Sequence, residues 1–375
     1  MTLFVACGIG AVFSYAIYPA VLTVLPRRRH VQPSQLTTAR DRRVSLVIAC
    51  RNEEKRIERK LLNALAICYA NLEILVASDA SDDQSDAIVQ RFGSRGVRLV
   101  RSAERRGKEH AQRLAVEQAT GEIIVFSDAG TDTPADSIGH IVERFQDPRV
   151  GAVSSEDKFL TADGRLVGEG AYVRYEMWLR RLESDVNSLV GLSGSFFAVR
   201  RTVAELWDDS IPSDFACAIN AYRQGLVSVS DARVCGIYKD IQDPAKEFDR
   251  KVRTALRGMA ALGRIPEVLN PIRYGLFSFQ VWSHKVMRWL VPWFLLGLLC
   301  SNAVLVASNP AMGVIFGLQC TFWALIALAH FVPVIRSNPS IRLGYFFVQA
   351  NAALLIAGVK FLCGVRVVTW DPSVR

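Results

Sequence analysis

The chain has 375 residues, of which 50% are hydrophobic, and a formal net charge of +9 at pH 7. Its eight cysteines and five histidines are dispersed, which favours reduced, mostly buried thiols over a disulfide framework and indicates no zinc site. The apolar residues concentrate in residues 1–25 and 288–364, whereas residues 26–270 have the composition of a water-soluble α/β protein. The sequence therefore predicts a membrane protein with a polar domain between its membrane segments.

The first apolar segment, residues 1–25, contains no charged side chain. A helix of about 25 residues is long enough to cross a bilayer core of about 30 Å, so we interpret this segment as an N-terminal transmembrane anchor. A cleaved signal peptide is the alternative, but the basic residues Arg27–Arg29 follow the segment instead of preceding it. The same bias predicts that the basic linker 26–43 is cytoplasmic.

Nucleic-acid binding is the other explanation for a basic chain. We exclude it because the arginines adjoin a membrane segment and no nucleic-acid-binding motif accompanies them.

Residues 44–265 alternate between strand and helix patterns, which predicts an α/β fold with right-handed crossovers and a mostly parallel sheet. The predicted strands are 44–49, 72–77, 97–100 and 122–127, followed by a less regular half with helices near 169–188, 214–224 and 244–262 and a strand at 192–199.

The C-terminal part is apolar again. Residues 266–287 mix aromatic and polar side chains, as is typical of a membrane interface, and three transmembrane helices are expected within 288–364, at about 288–308, 312–335 and 343–364. The tail 365–375 is expected on the extracytoplasmic side if all four segments span the membrane fully, or on the cytoplasmic side if one of them is re-entrant.

An acidic corner follows the strand 122–127. Ligands of open α/β sheets bind beyond the carboxyl ends of such strands, and a carboxylate there can hold a hard cation that in turn holds a diphosphate. Asp128 and Asp132 are therefore candidate metal ligands. The alternative is a helix-capping loop, because Thr133-Pro134 resembles a helix start.

Four motifs in this order resemble the family 2 glycosyltransferases, specifically membrane-anchored inverting enzymes with a glycosyltransferase-A (GT-A) domain. The motifs are Val44–Glu54, Ser78–Asp83, Ser127–Thr131 and Ile211–Phe215. The resemblance implies a GT-A fold, a nucleotide-sugar donor and Mg²⁺ or Mn²⁺ as cofactor.

The resemblance also implies which residues contact the donor. Ala49 replaces the proline that is usual in the first motif, and Asp79 would face the nucleobase and ribose. One more acid in a polar turn is the alternative for Asp79, and a solvated basic loop is the alternative for Lys108. The implied donor-binding residues are Ala49, Arg51, Asn52, Glu53, Asp79, Lys108, Asp128, Arg250 and Arg253.

An inverting transfer needs a base that takes a proton from the acceptor hydroxyl, and the resemblance assigns this role to Asp214. A helix N-cap is the alternative for Asp214. Gly194 is expected on the acceptor side, with a β-bulge as its alternative. The metal motif departs from the family, because Gly130 stands where the second acid normally lies.

Arg250 and Arg253 match the position of the family's Gln/Arg-x-x-Arg-Trp motif, with Thr254 in place of tryptophan. Two arginines one helical turn apart could clamp a diphosphate. Contact with anionic lipid headgroups is the alternative. The lost aromatic residue favours limited sugar addition over processive synthesis.

The sequence thus predicts a multi-pass protein of the cell inner (plasma) membrane that transfers a sugar from a nucleotide donor, expected to be a UDP-sugar. The acceptor would be a lipid-linked or growing glycan at the cytoplasmic face. The competing predictions are a processive polysaccharide synthase and a catalytically weak scaffold subunit.

Overall fold

The computed structural model describes residues 1–28, 42–160, 171–206, 208–239 and 244–365. Contacts within the chain divide it into two compact units, each considered by itself. Of the described residues, the α/β unit comprises 25–28, 42–160, 171–206 and 208–239, and the helical unit comprises 1–24 and 244–365. Most of the predicted linker and nearly all of the predicted tail lie outside the described residues.

The helices of both units are numbered in chain order. They are α1 (Thr2–Val12), α2 (Tyr18–Val24), α3 (Ile57–Leu65), α4 (Ser85–Arg91), α5 (Lys108–Gln118), α6 (Ser137–Arg144), α7 (Ala171–Val186), α8 (Arg201–Ala204), α9 (Ser213–Arg223), α10 (Pro244–Arg264), α11 (Pro271–Val281), α12 (Met287–Leu305), α13 (Pro310–Phe331) and α14 (Pro339–Leu362).

The described residues of the α/β unit form one seven-stranded sheet with the order β3-β2-β1-β4-β6-β5-β7. The strands β1 to β4 run parallel, β6 is antiparallel to both of its neighbours, and β5 and β7 are parallel. The predicted α/β fold with a mostly parallel sheet is confirmed. The strands are β1 (Val44–Cys50), β2 (Leu72–Ser78), β3 (Val97–Arg101), β4 (Ile123–Asp128), β5 (Val150–Leu160), β6 (Phe196–Arg200) and β7 (Val227–Lys239).

The core of this unit covers both faces of the sheet. Successive side chains of a strand point to opposite faces, so Leu46 and Ile48 of β1 enter one apolar layer while Val47 enters the other. All seven residues of β1 are buried, which explains why its sequence is apolar at every position except Ser45 instead of alternating. The carboxyl ends of β1, β2 and β4 meet at one edge, where Cys50 pairs with Ser78 and Ala49 with Asp128.

Three of the four cysteines in the α/β unit are buried, namely Cys50, Cys217 and Cys235, and Cys68 is exposed. Burial raises the pKa of the Cys50 thiol to about 12 and also raises the pKa of Cys217. The three buried thiols therefore behave as predicted, as small apolar side chains of the core.

Among the described residues, four helical segments are long and apolar enough to cross a membrane: Thr2–Val24, Pro271–Leu305, Pro310–Phe331 and Pro339–Leu362. The first of the C-terminal segments is longer than the sequence suggested, because α11 continues through a π-helical turn at Trp282–Val286 into α12. Most of the predicted interfacial segment is thus part of this long helix.

Small residues allow α1 and α12 to approach closely inside the helical unit. A Cβ atom on Gly10 would lie 2.7 Å from the ring of Phe294, and one on Gly297 would lie 2.8 Å from the sulfur of Cys7. Such small residues are common where membrane helices pack, because lipid provides no hydrophobic drive for helix association.

Helix α10 belongs to the helical unit, where it packs against α14. The sequence pattern predicts this helix at the end of the α/β domain, before residue 265. The predicted domain boundary at residue 265 stays a prediction.

Candidate active site

Asp128 ends β4 at the edge of the sheet and lies in a polar corner formed by three elements. The Lys108 ammonium, at the start of α5, is 2.5 Å from Asp128 Oδ1 and 3.0 Å from the carbonyl oxygen of Gly194. The Asp128 amide donates to the Ser195 carbonyl at 3.0 Å. The structure therefore brings together three of the predicted residues, Lys108, Asp128 and Gly194.

Gly194 also lies against Asp214. A Cβ atom on Gly194 would lie only 3.2 Å from Asp214 Oδ2, and the Leu192 amide donates to the Asp214 carbonyl at 3.2 Å. Because β6 begins at Phe196, Gly194 belongs to the loop before the strand, and the β-bulge alternative does not describe it. This glycine is needed for close approach of backbone to a carboxylate.

Asp214 occupies the first turn of α9 and is not its cap. The helix begins at Ser213 with Pro212 at the cap position, and within the described part of the chain no side-chain hydrogen bond caps it. The N-cap alternative for Asp214 is therefore not what the structure contains. Its carboxylate is partly exposed beside Gly194 and is available to a substrate.

Sequence reasoning missed Asp157, which orders the loop around Gly194. Asp157 Oδ1 accepts hydrogen bonds from the hydroxyls of Ser193 at 2.6 Å and Ser195 at 2.9 Å. The Ser193 amide also donates to Ser154 Oγ at 2.8 Å. The pair of serines flanking a glycine was the available signal, but β5, which supplies the carboxylate, was not recognised as a strand.

The other end of the corner contains Asp132, whose Oδ2 lies 3.1 Å from the Arg59 guanidinium. Asp132 Oδ1 and Thr131 Oγ1 are buried, and neither has a hydrogen-bond partner among the residues the structure describes. The backbone of Asp132 forms a bridge with Ile237 of β7, which fixes the loop. Two buried oxygens in a charged corner are available to a further ligand.

Lys60, also missed, lies beneath this corner. It is fully buried on α3, where it shares the apolar face with Ile57, Leu61 and Ala64, and its Nζ donates to the Thr131 carbonyl at 2.5 Å. Burial lowers the pKa of Lys60 to about 8, against the opposing influence of the nearby carboxylates. A lysine at an apolar helical position was the signal in the sequence.

Thr133 does not start a helix. Its amide and hydroxyl donate to Asn63 Oδ1, and α6 begins only at Ser137. The capping alternative for the acidic corner is therefore wrong.

A divalent cation fits this corner only if a substrate completes its coordination. The described residues contain no cluster of three or more His, Cys, Asp or Glu side chains that could hold a metal ion. Mg²⁺ is usually bound by one or two carboxylates together with phosphate oxygens and water. Asp128 and Asp132, with the partnerless Asp132 Oδ1, match such a donor set.

The predicted nucleotide loop connects the ends of β1 and β2. The Arg51 guanidinium donates to the Ala80 carbonyl and to Asp82 Oδ2, the latter at 2.9 Å. Asn52 adopts a left-handed backbone with φ of 52°, and its Oδ1 accepts from the Asp82 amide at 3.1 Å. Asparagine tolerates this conformation better than most residues. The side chains of Arg51 and Asn52 thus fix the shape of the loop.

Two further residues of this loop are buried. Ala49 is 1% exposed and Glu53 is 7% exposed. The Glu53 amide donates to Ser85 Oγ at 2.8 Å, and its carboxylate lies 3.4 Å from Arg56. Both residues support the loop from inside, and donor contact by their side chains stays a prediction.

Asp79 is 1% exposed and holds the loop that precedes Lys108. Its carboxylate accepts from the amides of Arg106 at 2.9 Å and Gly107 at 3.0 Å. Gly107 has a φ of 104°, a conformation that favours glycine. Because Lys108 itself is 7% exposed and paired with Asp128, a solvated basic loop does not describe it.

Arg250 and Arg253 lie on α10, in the helical unit. Arg250 forms a bidentate ion pair with Glu247, with distances of 2.7 and 2.8 Å. The diphosphate clamp and its lipid alternative both stay predictions.

Residues 45–207 match the family model described as Glycosyl transferase family 2. Over 191 residues the chain is 25% identical to poly-beta-1,6-N-acetyl-D-glucosamine synthase of Staphylococcus aureus (strain COL), a match that covers 48% of this chain and 46% of the synthase. The same synthase of Staphylococcus epidermidis is 25% identical over 182 residues, covering 46% of this chain and 44% of the synthase. The matched region is thus less than half the length of these curated relatives.

The fold is similar to that of a mannosyltransferase, PcManGT from Pyrobaculum calidifontis, solved in complex with GDP-Man and Mn²⁺. The TM-score is 0.72, the sequence identity is 22%, and the alignment covers 97% of this chain and 99% of that one. This similarity shows a shared fold, the GT-A fold with apolar helices flanking it.

Proposed function

Residues 45–207 are a family 2 glycosyltransferase domain on a GT-A fold, and from this premise we propose that the chain is a membrane-bound inverting glycosyltransferase. The observation that carries the proposal is the corner in which Lys108, Asp128 and Gly194 meet beside Asp214. The corner contains charged side chains that would face the diphosphate of a donor. Beside them lies the Asp214 carboxylate, which would act as the base.

Asp214 would accept the proton of the acceptor hydroxyl while the oxygen attacks the anomeric carbon. The new bond joins this oxygen to the sugar, and the bond between the sugar and the diphosphate breaks on the opposite face. The absence of a side chain at Gly194 leaves room beside the base for the acceptor. The serines held by Asp157 would keep this loop in one conformation.

Asp128 and Asp132 would hold Mg²⁺ or Mn²⁺. A bound divalent ion supplies positive charge for the departing diphosphate. The proposal is supported by the donor set of the corner and by PcManGT, which was solved with Mn²⁺.

The donor would be a nucleotide sugar and the acceptor a lipid-linked or growing glycan. We expect a UDP-sugar, and the GDP-Man bound to PcManGT adds a second nucleotide class to test. The four candidate membrane helices support an acceptor at the bilayer surface. We place the α/β unit on the cytoplasmic side of the inner (plasma) membrane, as the arginines after the first segment predict.

The decisive experiment measures release of nucleoside diphosphate by the full chain in detergent. A panel of UDP-sugars and GDP-mannose is tested with Mg²⁺ or Mn²⁺ and a polyprenyl-linked primer. Asp214→Asn should abolish transfer and leave nucleotide binding unchanged, because the amide cannot take the proton. Asp208→Asn, which changes an exposed aspartate of the preceding loop, is the matched control. Near-normal turnover of Asp214→Asn would remove it as the base, and nucleotide binding without turnover of any donor would favour a scaffold subunit.

A second candidate function is processive polysaccharide synthesis. It is favoured by the similarity to the staphylococcal synthases, whose name describes a polymer product. Thr254 occupies the position of tryptophan in the family's Gln/Arg-x-x-Arg-Trp motif, and the loss of this aromatic side chain favours limited sugar addition. Product length on the primer separates the two functions, since one sugar per primer excludes a polymerase.

Arg253 is proposed to bind the donor diphosphate. Arg253→Ala should then raise the KM for the donor or lower turnover sharply. Unchanged kinetics would instead support contact with anionic lipid headgroups.

A further inference from the structure

The Lys108 ammonium is buried in contact with Asp128 and the loop at Gly194. It lies 2.5 Å from Asp128 Oδ1 and 3.0 Å from the Gly194 carbonyl, in a setting that leaves the residue only 7% exposed. A charged pair at this distance and this degree of burial is stronger than one at the surface. One oxygen of the predicted metal ligand is therefore already bound to a cation that the chain supplies.

The surrounding charges reinforce this effect. Arg59 pairs with Asp132, and the Lys60 ammonium donates to the Thr131 carbonyl between the two aspartates. Asp128 and Asp132 are thus each paired with a cationic side chain of the chain itself. A divalent ion must compete with these cations for the two carboxylates.

A nucleoside diphosphate changes this balance. Its phosphate oxygens offer ligands to a divalent ion and an alternative partner to an ammonium group. The absence of a carboxylate at Gly130 makes the contribution of the phosphate oxygens more important, since few protein ligands remain.

We propose that Lys108 is an internal counter-ion that holds Asp128 in the donor-free protein and must release it before a divalent cation binds. In the nucleotide complex, Lys108 would pair with the phosphates, and Asp128 would then be able to hold a divalent ion. This inference deepens the proposed function and rests on it for the nature of the donor. The competition between Lys108 and the cation for Asp128 is independent of transfer activity.

The test measures Mn²⁺ binding to the full chain in detergent, with free Mn²⁺ detected by electron paramagnetic resonance. Without nucleotide, the wild type should bind Mn²⁺ weakly. Lys108→Met should bind it at least about tenfold more tightly, because the competing charge is gone. Lys108→Arg keeps the charge and should bind as weakly as the wild type.

Two controls make the result specific. Lys55→Met removes an exposed lysine and should not change Mn²⁺ binding. The double variant Lys108→Met with Asp128→Asn should lose the gained affinity. Equal Mn²⁺ affinities of the wild type and Lys108→Met without nucleotide would overturn the proposal, as would a gain that survives in the double variant.

A second arm adds UDP or GDP. We expect either nucleotide to raise the Mn²⁺ affinity of the wild type about tenfold or more, and that of Lys108→Met by a smaller factor. An equal nucleotide effect in both proteins would overturn the claim that the nucleotide draws Lys108 away from Asp128. If neither nucleotide binds to either protein, the proposed donor class fails, and the nucleotide-free arm still decides whether Lys108 competes for Asp128.

Discussion

The buried Lys60 gives the α/β unit a predictable dependence of stability on pH. Its side chain is fully buried beneath the acidic corner, and burial lowers its pKa from 10.5 to about 8. In the unfolded chain the amine returns to its ordinary pKa. Between about pH 8 and pH 10.5 the folded state therefore binds fewer protons at this position than the unfolded state.

The direction in which stability changes with pH follows from this difference in bound protons. Stability rises with pH wherever the unfolded state binds more protons, so Lys60 makes the folded protein more stable as the pH rises through this window. The difference between a pKa of 10.5 and one of about 8 corresponds to about 3 kcal/mol, at about 1.4 kcal/mol for each pH unit inside the window. For a unit of about 200 residues, this amounts to a rise in Tm of about 3–5 °C per pH unit.

The assay compares Tm between about pH 7.5 and pH 10 for the full chain, Lys60→Met and Lys55→Met, in detergent with EDTA. Other groups titrate in the same range, so the difference in slope between the proteins is the quantity of interest. Lys60→Met should lose the part of the rise in Tm with pH that Lys60 causes. Lys55→Met, which changes an exposed lysine, should keep it. Parallel curves for the wild type and Lys60→Met would refute the reasoning.

Three other substitutions test the geometry of the α/β unit. Gly194→Ala places a Cβ 3.2 Å from Asp214 Oδ2 and should lower kcat with little change in donor KM, while Gly139→Ala, where the Cβ meets open space, should be silent in the same kinetic assay. Asp157→Ala leaves two serine hydroxyls without their acceptor and should lower kcat about tenfold, with nucleotide affinity measured by calorimetry unchanged. Although burial alone would raise it, hydrogen bonds from two arginines lower the pKa of Asp231 to about 2, so Asp231→Asn should cost about 2 kcal/mol at neutral pH. The difference in stability between the wild type and Asp231→Asn should disappear as the pH falls from about 4 through about 2. Thermal unfolding across this range measures the difference, and a constant difference would contradict the reasoning.

The first half of the fold was predictable because its strands are apolar runs that end at turn residues. β1 and β4 have no charged residue before their ends, so both were located to within a residue or two. β5 and β7 were missed because they carry charges. Glu156 of β5 is bound by Arg181, and Asp231 of β7 is bound by two arginines, which are partners that the linear pattern does not reveal.

Charge partners that are distant in the sequence also limit prediction of the site. Sequence reasoning supplied Asp128, Lys108 and Gly194, and the structure brings these residues together beside Asp214. It did not reveal which carboxylate each cation would hold, because those pairs depend on the packing of distant strands and helices. Donor contact, base catalysis and metal binding by these residues stay predictions.

The distribution of thiols offers a way to determine on which side of the membrane the α/β unit lies. Of its four cysteines, Cys68 alone is exposed, while the buried position of Cys50 holds its pKa near 12 and keeps it unreactive. A membrane-impermeant maleimide should therefore modify the native unit at Cys68 with the natural sequence intact. If the unit is cytoplasmic, Cys68 would be labelled in inverted vesicles and protected in intact cells, with Cys68→Ser as the blank.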